Sequence, residues 1–458
     1  MSPSGSTPEC WSTSRSASPP TCCCGRSATD ATHTDCYTAG PHAAEAQRRA
    51  PRAMQSWRGL RRLPPGLWLL LGATLINRAG TMVLPFLALY LTRSRGLTDF
   101  QAGLVLAVYG AGALLTAPFA GRLADRYGPR RILELSLFAS GTAILLLLAA
   151  PGFPTLALAA FLWSVLAEAY RPASVAAVSE LVPPEQLRTG ISLVRLAVNL
   201  GMSFGPALGG FLASISYAAL FVVDGGTSLL AGALFLVAGT RLWRSGSRPA
   251  TAAALPATGD SPWRNRAFLT FLLGVFPISC VFFQFLGAMP LYLVRDLGLS
   301  SATYGLLFTL STLLVVVFEV PLSLTLQKRS HRGSMIVGSL LYGIGFGSLQ
   351  FVHEVWGAAL CVVVLTCGEM TLLSTLSAHT TRYAPANRQG AYIGVYSMVV
   401  NLAFTVGPWL GTVGLDHFGP AVWSAAFALA VLSAVVLGMV QEHPRREAAP
   451  GAAAAAGA

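Results

Sequence analysis

Charged residues are scarce in this sequence. They make up 11% of its 458 residues, whereas hydrophobic residues make up 53%, and a soluble globular domain carries about 25% charged residues. So little charge cannot cover a water-facing surface, which excludes a soluble globular protein. The apolar runs reach about 20 residues, the length that spans a bilayer, and they lack the short alternating pattern of barrel strands. The sequence therefore predicts an all-α membrane protein.

Several chemical signatures are also missing. No Gly-x-x-x-x-Gly-Lys loop for ATP is present, so energy would have to come from an ion gradient or from the solute itself. No His–Cys spacing of a metal site and no nucleophile constellation occurs. These absences argue against an enzyme, a bound metal and an organic cofactor, and they leave the proton gradient as the expected energy source.

The first 53 residues contain five of the eight cysteines but no apolar core of the kind a signal peptide needs. With nothing to bury, residues 1–53 are expected to be disordered. Cys22, Cys23 and Cys24 leave lipidation or metal binding open, although the ligand spacing of a zinc site is missing. Met54 opens a short basic lead directly before the first apolar run, so translation from Met54 is an alternative start.

Twelve apolar segments predict twelve transmembrane helices, six on either side of a polar, basic connection at 241–266. The first six form an N-terminal bundle within 54–240, the last six form a C-terminal bundle within 267–441, and a tail covers 442–458. The predicted spans are 66–91, 100–120, 132–150, 155–178, 190–213, 217–240, 267–293, 302–325, 335–352, 355–378, 391–413 and 420–440.

The distribution of basic residues orients the spans. With the N-terminus inside, the inner segments from Met54 onward hold 20 Lys and Arg, and the outer loops hold three, Arg93, Arg95 and Arg295. Cytoplasmic loops are enriched in these residues, so both termini are predicted to be cytoplasmic, in a cell (inner) membrane. The net charge of +12 then reflects topology, and no nucleic-acid partner is required. We expect a monomer whose partners are the lipid bilayer and a small molecule.

The two halves repeat each other at an offset of 202 residues. Asn199-Leu200 and Gly205-Pro206-x-Leu208-Gly209 recur as Asn401-Leu402 and Gly407-Pro408-x-Leu410-Gly411, and Gly103 recurs as Gly305. Six spans separate the copies, so both halves enter the membrane from the same side, as parallel repeats do. Two such bundles can enclose a cavity at mid-membrane and open it to each side in turn. The repeat therefore predicts transport by alternating access.

The connection between spans two and three reads GRLADRYGPRR, from Gly121 to Arg131. It resembles the signature of the major facilitator superfamily in this position, with Pro129 as a departure. The resemblance implies that Asp125 forms a gating latch with basic groups; a plain basic loop held by turn glycines is the alternative. The second half carries Gln327 at the equivalent position, so the latch should be asymmetric. The proposed gating residues are Gly121, Asp125, Arg126, Gly128, Arg130 and Arg131.

The fifth span contains Gly-x-x-x-Gly-Pro-x-x-Gly-Gly. This pattern resembles the motif of the superfamily's drug:proton antiporters, which implies export. Small residues at a spacing of four also let helices pack closely in lipid, and Pro206 should bend the helix, so close packing alone is the alternative explanation. The residues that match are Gly201, Gly205, Pro206, Gly209 and Gly210.

Ionisable residues inside spans are functional candidates because they are costly in lipid unless paired or hydrated. Glu168 and Arg171 share a helix face at i, i+3 and can neutralise each other. Glu168 is the first candidate for the proton carrier, with Arg171 tuning it and Glu369 second. Arg78 can also line the cavity. A static buried pair is the alternative for Glu168 and Arg171, and a structural role is favoured for two further acids, Glu319 and Asp224.

Together these features predict a proton-coupled exporter of small amphipathic or cationic compounds. A facilitator or proton symporter for a sugar or another metabolite would share the fold and is the alternative. A transporter-shaped receptor that moves nothing would bind a ligand without any flux. Trp163, Phe282, Phe283 and Trp409 could stack on aromatic compounds, although lipid-facing packing is the commoner role of such residues.

Overall fold

The fold consists of helices that cross the membrane region, seen in a computed structural model that describes residues 63–183, 186–243, 261–326, 329–385 and 388–440. The N-terminal extension, most of the 241–266 connection and the 442–458 tail predicted from the sequence lie outside these residues. In the described part, eleven helical stretches are long and apolar enough to cross a membrane. The last stretch, Gln389–Met439, contains two helices, so the spans number twelve.

Spans 1–6 form the N-half (63–243) and spans 7–12 the C-half (261–440). Two spans are interrupted near the middle of the membrane region, span 1 at 81–82 and span 7 at 283–287, and span 4 is interrupted at Ala169. The spans are Pro65–Gly80 with Val83–Leu89, Asp99–Tyr127, Pro129–Ala149, Phe153–Glu168 with Tyr170–Leu181, Leu187–Ile215, Tyr217–Leu242, Arg266–Phe282 with Ala288–Leu291, Ser301–Leu326, His331–Gly347, Val355–Tyr383, Gln389–Phe418 and Val422–Met439.

The predicted repeat is confirmed by which spans pack together. In the N-half, span 1 contacts spans 5 and 6, span 6 contacts span 3, and span 4 contacts spans 2 and 3; each pairing recurs in the C-half between the spans numbered six higher. Between the halves, span 2 packs along span 11 and span 5 packs along span 8. The protein is therefore two six-helix bundles related by a pseudo-two-fold axis.

Local sequence explains several of the helix ends. Span 2 begins with a capping box, in which the Gln101 backbone N–H donates to the Thr98 hydroxyl while the Gln101 side chain accepts from the Thr98 N–H. Spans 1 and 7 each end in a short π-helical turn followed by a glycine of positive φ, Gly96 at 66° and Gly298 at 70°. Because the left-handed region is strained for residues with a Cβ, the turn needs glycine at both copies of the repeat.

The helices extend further than hydropathy predicts. Span 2 runs to Tyr127, so most of the GRLADRYGPRR segment is helical rather than a loop, and the turn is confined to Gly128, with φ at 86°. Span 11 likewise continues to Phe418. Polar residues end an apolar stretch without ending the helix, since a helix that leaves the bilayer keeps its backbone hydrogen bonds.

Candidate functional site

The interruption of span 1 is held by an acid from span 6. Asp224 is only 3% exposed, and its Oδ2 accepts from the backbone N–H groups of Met82 (3.0 Å) and Val83 (2.9 Å). These groups start the second segment of span 1 and have no partner within that segment. The carboxylate thus caps a helix N-terminus inside the protein, the kind of structural role favoured for Asp224 from the sequence.

The glycines of span 5 fit against the same interruption. A Cβ added at Gly201 would lie 2.6 Å from the Arg78 Cβ, one at Gly205 would lie 2.8 Å from the Thr81 carbonyl oxygen, and one at Gly209 would lie 2.7 Å from the Met82 Cβ. Three of the motif glycines thus allow span 5 to lie directly on the broken backbone of span 1. Pro206 lies inside the unbroken span 5 helix.

Two reciprocal contacts join the halves through glycine. A Cβ at Gly210 in span 5 would lie 2.5 Å from the Ser301 carbonyl oxygen and 3.0 Å from the Gly305 Cα in span 8. At the equivalent position on the other side, a Cβ at Gly103 in span 2 would collide with the Thr412 hydroxyl in span 11. Because 103 and 305, and 210 and 412, are pairs at the 202-residue offset, the two contacts are copies of each other.

Arginines cross between the halves at the predicted outer end. The Arg93 Nη2 donates to the Val294 carbonyl oxygen of the C-half over 2.7 Å. Its repeat counterpart, Arg295, reaches back to the N-half and pairs with Asp99 over 2.5 Å. A transporter that opens at this end has to break both contacts.

The predicted inner parts of the half interface contain another pair. Arg195 of span 5 is ion-paired with Glu319 of span 8. This contact assigns Glu319 to the interface between the halves. The Arg195 side chain is 65% exposed, so the pair is far weaker than its partners' charges alone would suggest.

The N-half contains a polar cluster on spans 1, 2 and 4. The Arg78 guanidinium lies 5.5 Å from the centroid of the Tyr170 ring, and the Tyr170 hydroxyl is 2.7 Å from the Thr74 hydroxyl. Glu168 and Arg78 both lie within electrostatic range of the buried Tyr109. The cluster gathers polar groups from three helices around the position of Arg78.

The predicted pairing of Glu168 with Arg171 is not formed. Among the described residues, no Arg171 nitrogen lies within 4.0 Å of a carboxylate oxygen. The helix is interrupted at Ala169 between them, and Arg171 is exposed while Glu168 is half-buried. Ala169 keeps helical φ and ψ of −64° and −21°, so the i, i+3 spacing is kept, and the pair is absent because the Arg171 side chain lies exposed, apart from Glu168.

A cavity of about 240 Å³ lies where spans 7–10 face span 5. Its walls are mostly aromatic, aliphatic and methionine side chains, with three neutral polar residues, Asn199, Ser311 and Thr312, and a single carboxyl group, that of Glu369. A hydrogen bond between the Thr366 and Ser311 hydroxyls, 2.9 Å long, ties span 10 to span 8 beside it. Spans 5, 7, 9 and 10 contribute Met202, Phe282, Phe285, Met289, Tyr342 and Glu369 to the lining.

Glu369 is the ionisable residue that the structure places in this cavity. Within the described ranges it makes no salt bridge and no hydrogen bond, and it lies within electrostatic range of Tyr342. Neither Glu168, Arg171 nor Arg78 is among the residues that line it. Of the four residues predicted for the cavity, the structure thus assigns one to it and places Arg78 and Glu168 in the N-half cluster.

Most of the aromatic lining was not predicted. Of the four aromatic residues singled out from the sequence, Phe282 lines the cavity. Phe283 packs on Phe404, with ring centroids 4.7 Å apart, and Trp163 packs on Tyr109 at 4.8 Å. Asn199 also lines the cavity, and its recurrence as Asn401 was the one available signal.

The structure describes the latch motif only in part, because it leaves out the Asp125 side chain and the surroundings of Gly121. Arg130 forms an ion pair with Glu134 at 2.7 Å, and Arg126 lies over the Tyr127 ring at 5.5 Å. Arg131 is exposed. Arg130 also packs on span 6, where a Cβ at Gly239 would lie 2.8 Å from its Nε. These contacts tie the segment to its own half, and the latch across the halves stays a prediction.

Comparisons with known proteins agree with this architecture. The family model of the Major Facilitator Superfamily matches residues 69–295 and 271–456. The Bacillus subtilis transporter YqjV, whose function is uncharacterised, is 24% identical over 391 residues, 84% of this chain and 93% of its own. A Na⁺, Li⁺, K⁺/H⁺ antiporter of Planococcus maritimus is 23% identical, covering 76% and 87%.

Two further similarities come from a relative and a solved structure. The quinolone resistance protein NorA of Staphylococcus aureus is 22% identical, covering 79% of this chain and 92% of its own. A POT family transporter in complex with 5-aminolevulinic acid has the same fold, with a TM-score of 0.69 at 16% identity over 82% of this chain and 95% of its own.

Proposed function

Because the chain belongs to the major facilitator superfamily and is therefore a multi-pass membrane transport protein rather than an enzyme, we propose that it exports small amphipathic cations in exchange for protons. The observation that carries this proposal is Glu369, a carboxyl without a described partner in a cavity of aromatic and methionine side chains. Aromatic faces attract organic cations, and the carboxylate supplies the opposite charge.

The same carboxyl can carry the proton. A carboxylate in an apolar site is stable either when it is protonated or when a cation neutralises it. Proton and substrate then compete for Glu369, and competition for one acid couples their movements in opposite directions. The naming of two relatives supports this exchange: one is called a cation/proton antiporter and another a quinolone resistance protein.

The cavity favours an organic cation over a metal ion. Hard cations such as Na⁺ require several oxygen ligands. Asn199, Ser311, Thr312 and Glu369 supply oxygens, but most of the lining is aromatic, aliphatic or thioether surface. Flexible methionines adapt to substrates of different shape. We therefore propose Glu369 before Glu168 as the proton carrier, the reverse of the order expected from the sequence.

The test uses inverted membrane vesicles with a respiration-driven proton gradient and a pH-sensitive dye in the lumen. Adding a cationic aromatic compound should raise the lumenal pH in wild type, and Glu369→Gln should abolish this response. Glu354→Gln is the matched control, because Glu354 is exposed, precedes span 10 and does not line the cavity, and it should respond like wild type at equal expression.

Two results would contradict the proposal. A wild-type response in Glu369→Gln that is lost in Glu168→Gln would return the proton site to the N-half. Equilibration of labelled solutes with no effect on the gradient in any variant would show a facilitator instead of an antiporter.

A further inference from the structure

Arg78 forms no ion pair among the described residues, although Asp224 lies within its electrostatic range. Arg78 lies in the middle part of span 1, where no described carboxylate oxygen comes within 4.0 Å of its nitrogens. Its Nε is buried and has no hydrogen-bond acceptor. An unpaired guanidinium within the membrane is costly, so the site favours an acceptor that the described side chains do not supply.

The two acids closest to the N-half cluster are otherwise placed. Asp224 uses its Oδ2 to cap the second segment of span 1. Glu168 acts electrostatically on Tyr109, as Arg78 does, but forms no ion pair with Arg78. The Tyr170 ring beneath the guanidinium is a weak substitute for a negative charge. The free edge of Arg78 is therefore suited to an anionic group from outside the protein.

Arg78 lies beside the wall of the cavity that contains Glu369. Its Cβ would be 2.6 Å from a Cβ at Gly201, and the next residue in span 5, Met202, lines the cavity together with Glu369. Span 5 thus contacts both elements, packing on Arg78 of the N-half at Gly201 and lining with Met202 the cavity that contains Glu369 of the C-half.

From this arrangement we infer that the preferred substrates are zwitterions with an aromatic body. The cationic group would bind at Glu369, the aromatic body would lie among the aromatic side chains and methionines, and a carboxylate or similar anion would bind at Arg78. This inference rests on the proposed function, because it takes the cavity to be the substrate site. An ion pair at Glu369 and a charge-assisted hydrogen bond at Arg78 would make such a substrate bridge the two halves.

The test compares two dyes that differ only in a carboxylate. Tetramethylrhodamine carries a delocalised cation and a free carboxylate, whereas its methyl ester is a permanent cation. Binding to purified full-length protein in detergent is measured by fluorescence polarisation, which requires neither transport nor a proton gradient. Wild type should bind the free acid at least as tightly as the ester.

Variants then separate the two charges. Arg78→Gln should weaken binding of the free acid by about tenfold or more and leave the ester within about twofold, while Arg78→Lys should retain much of the preference for the acid. Glu369→Gln should weaken both dyes. Thr74→Val removes the hydroxyl contact to Tyr170 in the same cluster and should change both dyes equally, which reports simple disturbance of the cluster.

The outcomes distinguish this inference from the proposed function. If wild type binds the ester but not the free acid, or if Arg78→Gln shifts both dyes by the same factor, the inference is overturned while cation export stands. If the free acid binds through Arg78 but neither dye dissipates a proton gradient in vesicles, the zwitterion site stands and proton-coupled export fails.

Discussion

The N-half and the C-half each interrupt their first span, but different side chains bind the backbone there, an acceptor in one half and a donor in the other. Spans 1 and 7 are both interrupted, and position 82 of the first corresponds to position 284 of the second. In the N-half an acid from span 6, Asp224, accepts from two backbone N–H groups. In the C-half the Gln284 amide, inside the interruption itself, donates to the Cys280 and Gly407 carbonyls at 3.0 and 2.7 Å.

The difference teaches what a repeat conserves here and what it does not. The glycines at the half interface and the helix pairings recur at the same offset. Of the charged groups, Arg93 and Arg295 recur, but the interior ones differ: the N-half contains Arg78, Glu168 and Asp224, while the C-half lines the cavity with aromatic residues around Glu369. Backbone packing is thus shared between the halves, and the chemistry for binding is divided between them.

The largest loss of stability is expected from replacing Asp224, the acid that caps the interruption of span 1. Asp224→Ala would leave the N–H groups of Met82 and Val83 buried without an acceptor, lowering the free energy of unfolding by roughly 2–6 kcal/mol. Asp224→Asn, which keeps one accepting oxygen, should lose about half as much. The measurement is unfolding in mixed micelles at increasing SDS concentration.

Gln284→Leu, the C-half counterpart of Asp224→Ala, should lower the free energy of unfolding by less, about 1–2 kcal/mol. It removes two donated hydrogen bonds but also removes the Gln284 Oε1, a buried acceptor with no partner. If Asp224→Ala and Gln284→Leu lower the free energy of unfolding equally, the two interruptions are energetically equivalent. The halves would then differ in side-chain chemistry but not in stability.

Arg93 and Arg295, which each contact the opposite half, test the comparison at the predicted outer end. Arg295→Gln should weaken the contact between the halves at this end by about 1–3 kcal/mol, because Asp99 is only 6% exposed and would lose its ionic partner. Arg93→Gln loses a bond to a carbonyl and should have about half that effect. The measurement is labelling of Met289→Cys in the cavity by a membrane-impermeant maleimide. If Arg93→Gln raises the labelling rate of Met289→Cys more than Arg295→Gln does, this order is wrong.

The smallest effect is expected at the Arg195–Glu319 pair. Because Arg195 is largely exposed, Arg195→Gln should change the free energy of unfolding by at most about 0.5 kcal/mol. The SDS titration checks this, with Glu319→Gln as the matched variant. A loss as large as that of Arg295→Gln would make this pair a second strong connection between the halves.

The sequence was sufficient for the helices and their repeat but not for the cavity. Hydropathy locates twelve spans, and the 202-residue offset predicts that Gly103 and Gly305 have equivalent positions, because packing and lipid burial impose patterns on the sequence itself. The interruption of span 4 at Ala169 has a signal in Pro172, which lacks the N–H that would donate to the Glu168 carbonyl, but this signal does not define where the Glu168 and Arg171 side chains lie. Whether Glu369 lines the cavity depends on how spans 7, 8 and 10 face one another. Periodicity within one helix does not define this arrangement.

The glycine contacts between the halves also bear on how such a chain could arise. A residue of the first half meets a residue of the second, and their counterparts meet in turn, which is the pattern of a two-fold dimer. Each half therefore contains both surfaces of its own interface: two copies of the first half, entering the membrane in the same direction, would bring Gly103 of one against Gly210 of the other. The fused chain preserves in one polypeptide the geometry of a symmetric pair, and fusion is what allows its two members to carry different charges.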